Sequence, residues 1–178
     1  MANKTRIQKF IDTHPEVTVT TKDTNKILWK VLSAILTVLT AGRMTNLITG
    51  FVTTLGNRIY FPPGWTVATA APGDYITLQH EYVHYKQYVA LGRGNVWLGF
   101  VLFAILYALL PVPTGYAWFR YKFEREAYLT SYLTAKQLKI PQDFTQYAKW
   151  LSGPEYFWAW RDCTAITQWF TQQTANKK

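Results

Sequence analysis

A chain of 178 residues that is 49% hydrophobic and 16% charged has ample material for a packed core, which excludes an intrinsically disordered protein. Its single cysteine, Cys163, excludes an intramolecular disulfide and any cysteine-built structural zinc site. Nineteen Lys and Arg against ten Asp and Glu leave +9, a balance suited to contact with an anionic surface.

The N-terminal MANKTRIQKF has neither the apolar stretch nor the cleavage site of a secretory signal. The expected localisation is therefore cytoplasmic at synthesis, without export by that route. Residues 5–13 predict a short helix ended by His14-Pro15, because the residue before proline avoids the helical region. His14 reads as a loop residue. Residues 16–21 (EVTVTT) alternate and are β-branched, which predicts a strand. Asp23 to Asn25 can cap an amphipathic helix running to about Gly42, with Ile27, Leu28, Val31, Leu32, Ile35 and Leu39 on one face. Residues 47–54 and 58–61 predict a hairpin around Leu55-Gly56-Asn57, and residues 65–70 a further strand.

Asp74 reads as the N-cap of a long helix that ends near Gly92-Arg93-Gly94. Residues 96–112 then form an apolar helix without one charge. Another helix spans residues 116–138 and stops before Pro141, and residues 154–172 make an aromatic helix at the C-terminus. Strands first and helices afterwards predict an α+β fold. The expected organisation is a basic arm, strand and amphipathic helix over 1–44, a metal-binding core over 45–140 and the aromatic helix over 141–178, together one compact domain. No glycine-rich phosphate loop or nucleic-acid module is present, so specific nucleic-acid recognition is not expected.

His80-Glu81-Tyr82-Val83-His84 is an HExxH pattern inside a predicted helix. Histidines at i and i+4 lie one turn apart on the same face, where two imidazoles can grip one ion. Glu81 sits about 100° around the helix from His80, an offset that suits a base taking a proton from a water on the metal. A catalytic zinc takes three protein ligands, so a third is needed. The segment from Arg120 to Tyr128 offers two acids, Glu124 and Glu126. Glu124 shares a face with Arg120, Ala127 and Tyr128, and small Ala127 permits close approach of another helix. Glu126 points about 200° away, towards solvent among Lys122 and Arg125. Glu124 is the expected third ligand and Glu126 the alternative.

HExxH followed some forty residues later by a helix with Glu-x-x-Ala resembles the gluzincin metallopeptidases, in particular the small minigluzincin-like domains. The upstream TTLGNRIYFP resembles the hairpin before the zinc helix in small HExxH proteins common in bacteriophage genomes, and Gln87 fits the recurrent HExxHxxQ form. The resemblance implies a zincin-like fold, with a short antiparallel hairpin packed on the HExxH helix, a second Glu-bearing helix and extra apolar helices. It implies Zn2+ on His80, His84 and Glu124, with Glu81 as general base for peptide hydrolysis. A peptide or protein substrate would pair with the edge strand. Many gluzincins place Asp four residues after the third ligand to orient a ligating histidine; here that position is Tyr128. A phenol there can bond the histidine or stabilise an oxyanion.

A helix crossing a bilayer over 96–112 would part His84 from Glu124, so this segment must pack on the core or lie at a membrane surface; we favour packing. Cys163 reads as a small buried hydrophobe. The competing function is a virion or membrane-associated structural protein that keeps the fold with a structural metal or none. Its partners would be virion proteins or an anionic membrane surface, and its location the virion or the membrane periphery. The oligomeric state is not legible in the sequence.

Overall fold

The computed structural model describes residues 2–39, 47–109, 117–156 and 159–175. Contacts divide the chain into two units, Met1–Glu81 and Tyr82–Lys178.

In the first unit, α1 (Ala2–Thr13) begins a little before the predicted helix. The His14 ring stacks on Phe10 at 4.3 Å, and its Nδ1 lies 2.9 Å from the Phe10 carbonyl oxygen. His14 therefore closes the last turn of α1, a more defined role than a loop residue. β1 (Thr18–Thr21) leads through a 3-10 turn, Lys22–Asn25, into α2 (Lys26–Leu39). Asn25 Oδ1 accepts from Leu28 N at 3.2 Å, as an N-cap should. The expected continuation of α2 to Gly42 lies outside the described residues.

The hairpin forms, but shorter than expected. Leu47–Gly50 is a helical turn, α3, where a strand is predicted. The buried Lys22 ammonium donates to the Leu47 and Phe51 carbonyls, and this tertiary contact outweighs the β-branched side chains of Ile48 and Thr49. β2 (Thr53–Leu55) and β3 (Arg58–Phe61) follow, turning through Gly56 at a φ of 58°. β2 pairs antiparallel with β3, with Thr54 opposite Ile59. β1 pairs parallel on the other side, with Val19 opposite Ile59, giving the order β1-β3-β2. The central strand buries Ile59, Tyr60 and Phe61, and Tyr60 packs with Trp29 and Leu47 in the core of this unit.

Residues 65–70 form a turn, correcting the predicted strand. Thr66 and Thr69 bond each other's backbone N–H through their hydroxyls at 3.2 Å, which closes the chain locally. α4 (Pro72–Leu91) opens with proline, and Asp74 stands inside its first turn instead of at the N-cap. Its carboxylate reaches back to Ala71 N at 2.8 Å, as the acidic member of a capping box does, and accepts from Trp65 Nε1 at 2.9 Å.

The second unit takes the last ten residues of α4, then α5 (Val96–Leu109), α6 (Trp118–Gln137), α7 (Phe144–Ser152) and α8 (Cys163–Ala175). Two glycines make the corner between α4 and α5. A Cβ on Gly99 would lie 1.7 Å from the Tyr88 carbonyl oxygen, and one on Gly92 would lie 1.9 Å from that of Asn95. Asn95 Oδ1 caps the first turn of α5 through Trp97 N and Leu98 N at 3.1 Å.

α7 is a helix the sequence reading did not include. Its signals were present: Asp143 accepts from Thr145 N at 2.8 Å, and Tyr147, Ala148 and Leu151 recur at helical spacing. The helix expected over 154–172 is divided. Pro154–Tyr156 is a 3-10 turn, residues 157–158 lie outside the described set, and α8 starts only at Cys163, where Asp162 accepts from Ala165 N at 2.9 Å. α6 packs with both clusters of this unit: Phe123 joins Tyr88 and Phe103, while Tyr121 and Leu129 join Tyr147, Leu151, Ile166 and Phe170.

α5 is apolar all round yet not wholly enclosed, since it buries Phe103 and exposes Trp97, Leu98 and Val101. The remainder of the segment expected to run to Val112 is outside the described residues. Among the described residues no single helix is long and apolar enough to cross a membrane. Eight helices and a small mixed three-stranded sheet among these residues place the chain in the α+β class.

Candidate metal centre

α4 carries His80, Glu81 and His84 without a break, so the two imidazoles project from one face a turn apart. α6 carries Glu124. One ligating atom from each of His80, His84 and Glu124 lies within 4.8 Å of the others, a buried His-His-Glu group able to hold a metal ion. His84 Nε2 and Glu124 Oε1 are 3.8 Å apart. Ligands of a tetrahedral ion with bonds of about 2.0–2.2 Å sit about 3.4 Å apart, so this pair is close to that spacing and the group as a whole, within 4.8 Å, would draw inward on an ion.

The hydrogen bonds around His84 define which nitrogen faces Glu124. The Gln87 amide nitrogen donates to the Phe123 carbonyl at 3.1 Å and to Glu126 Oε2 at 3.0 Å. Its oxygen, 2.9 Å from His84 Nδ1, is left to accept the Nδ1 proton. His84 Nε2 is then the nitrogen on the side of Glu124 Oε1, the one a metal ion would use. Fixing the tautomer from the far side of the ring is what partners of metal-binding histidines do.

Glu126 departs from its expected direction. It is half-buried and holds Gln87, where the helical angle alone pointed it at solvent. Glu124 is buried, as a ligand rather than a solvated acid would be. Tyr107, from α5, donates to Glu124 Oε1 at 2.7 Å. Burial, followed by the Glu124 charge, pushes the Tyr107 phenol well above its ordinary value, so it stays a donor. Arg120 ties Tyr107 down through its carbonyl oxygen, with Nη2 at 2.7 Å and Nε at 3.0 Å, and reaches the Tyr156 carbonyl at 3.2 Å.

Tyr128 stacks on Tyr147 at 4.5 Å and pairs its hydroxyl with that of Tyr156. Burial, then the Glu124 charge, pushes the Tyr156 phenol up as well. The His84 ring nitrogen goes to Gln87, so the residue seen orienting that histidine comes from α4 itself.

No protein-family model, curated protein or solved structure matches the chain. What can be said of the site therefore rests on its own chemistry.

Glu81 is buried and held within the first unit. The Thr54 hydroxyl lies 2.8 Å from Glu81 Oε2 and 3.1 Å from the Glu81 carbonyl oxygen. One hydroxyl proton serves one acceptor at a time, and the charged one is nearer. Burial pulls the Lys22 ammonium down to about 8, with the Glu81 carboxylate opposing the shift. Thr54, Lys22, Tyr107 and Arg120 did not emerge from the sequence as site residues. Thr54 lies in the hairpin already singled out; Lys22 carried no local mark, and its burial is a tertiary fact. Cys163 is half-buried against the aromatic cluster of α6 to α8, as a small hydrophobe would be.

Proposed function

We propose that the protein is a zinc-dependent peptide hydrolase, with His80, His84 and Glu124 as metal ligands and Glu81 as general base. The carrying observation is the gathering of three ligating atoms within 4.8 Å, two of them from the helix that also presents Glu81. Bound zinc would acidify a water and polarise a peptide carbonyl. Glu81 takes the proton of the attacking water on a carboxylate oxygen and returns it to the leaving amine. The Thr54 hydroxyl donates to Glu81 Oε2 at 2.8 Å and so steers that carboxylate.

Among the described residues β2 is an edge strand, paired on one side by β3, and Thr54 belongs to it. An extended peptide adding to this edge would be bound through its backbone beside the residue that steers the base. In this reading Tyr128, coupled to Tyr156, supplies the proton donor for the developing oxyanion. The second reading, a structural protein in which the ion only staples helices, is favoured by the uncovered apolar face of α5.

Elemental analysis of the wild type beside His84→Ala tests the ligand set. About one zinc per chain, lost in the variant, is expected. Hydrolysis of a casein substrate by the wild type, abolished in Glu81→Gln with zinc retained, is the second expected result. No metal after incubation with zinc sinks the proposal. Zinc without hydrolysis under any condition leaves the structural reading.

A further inference from the structure

We propose that the outer face of α5 docks on an anionic lipid bilayer, with the helix lying in the plane of the headgroups. This inference does not depend on the metal or on catalysis. α5 has no charged residue along its 14 positions. It turns Phe103 into the core, while Trp97, Leu98, Val101, Leu102 and Ile105 remain 37–55% exposed. Steps of one, three and four residues put these five side chains on one side of the helix, in a strip about 12 Å long. Single exposed apolar residues are ordinary on protein surfaces, but a contiguous strip marks a contact.

The surroundings of the strip name its occupant. Trp97 stands at one end, and Trp118, also exposed, opens α6 beside Phe119, which packs against the α5 cluster. The Lys122 ammonium lies 4.9 Å over the Trp118 ring. Arg93 is exposed in the turn that leads into α5. The two acids of the adjoining α6 segment are withdrawn, Glu124 towards Tyr107 and Glu126 towards Gln87. An apolar strip bounded by tryptophans and cations matches the headgroup boundary, where indole rings settle and Lys or Arg meets phosphate.

The 14 described residues of α5 span about 21 Å, less than the roughly 30 Å hydrocarbon core, and its exposed strip runs along one side, as a helix lying in the interface requires. A second copy of the chain meeting strip to strip would bring like cations onto one patch, which opposes a symmetric dimer. α2, in the other unit, shows the same chemistry independently: Ile27, Val31 and Ile35 are exposed, alongside exposed Lys26 and Lys30.

Flotation of the full chain with vesicles decides the matter. Vesicles of phosphatidylcholine with about a third phosphatidylserine should carry the protein, and pure phosphatidylcholine should carry at least about tenfold less. Combining Trp97→Gln, Val101→Gln and Ile105→Gln should lower the partition by at least about tenfold with an unchanged melting curve, since all three side chains are exposed. Arg93→Gln and Lys122→Gln should each cost about fivefold, and only on the anionic vesicles. Absence of vesicle binding overturns the proposal, as does binding indifferent to the triple substitution. A dimer that the triple substitution dissolves, without vesicle binding, assigns the strip to a second copy and overturns it too.

Discussion

The Glu81 carboxylate accepts from the small Thr54 hydroxyl and lies in the field of a buried ammonium, whereas Glu124 accepts from a phenol that an arginine holds in place. Both acids are buried, and both come from the interior of a long helix. Their neighbours suit different tasks. In the proposed reaction Glu81 must change protonation within each turnover, and a neutral hydroxyl donor steers it without adding a charge. A ligand must keep its oxygens in place, and a phenol kept protonated by burial and by the carboxylate itself does that.

Exchanging the carboxylate at each position should separate the two tasks most sharply. Glu81→Gln should reduce hydrolysis by about 10²- to 10⁴-fold while one zinc stays bound; loss of zinc in this variant would make Glu81 a ligand and erase the contrast. Tyr107→Phe acts on the other acid, and metal titration should show zinc affinity weakened about 10- to 100-fold. An unchanged affinity would mean Glu124 is held without the phenol. Thr54→Val should leave zinc affinity as it is and lower kcat about tenfold, so kinetics with parallel metal analysis distinguish it from Tyr107→Phe.

Lys22 gives the smallest effect and a pH signature. Its ammonium is lowered to about 8 in the folded chain from 10.5, so between these values the unfolded chain binds more protons. Stability therefore rises with pH across that window, by up to about 1.4 kcal/mol per unit, and the penalty is fully present below it. Urea midpoints that climb between about pH 8 and 9.5 in the wild type, and stay flat in Lys22→Met, are expected. A flat wild-type profile would show that the ammonium is hydrated.

Much of this site was legible before the fold was known. Histidines four apart select a helix face and small Ala127 marks the buried side of α6, which makes His80, His84 and Glu124 the expected group with Glu126 the alternative; their approach to within 4.8 Å is a tertiary fact. Glu126 was misread because a helical angle says which way a side chain leaves the axis, not what waits there; Gln87 turned the supposed solvent face into a polar contact. The segment 47–50 was misread for a similar reason. Its β-branched residues argue for a strand, and only Lys22, 25 residues before Leu47, supplies the donor that makes a helical turn the better arrangement. At α7 the signal is local: Asp143 caps the helix and Tyr147, Ala148 and Leu151 recur at helical spacing.

The sequence by itself determined helices such as α4 and α6, the Gly56 turn and the HExxH spacing, because each depends on residues within a turn or two of one another. Only the tertiary structure decided that β1 joins the hairpin in parallel, that Tyr107 and Arg120 secure Glu124, that Lys22 is buried near Glu81, and that one face of α5 stays uncovered. Those outcomes depend on which distant groups share the same low-dielectric space. Burial there raises or lowers the free energy of a charge far more than its neighbours in the chain do.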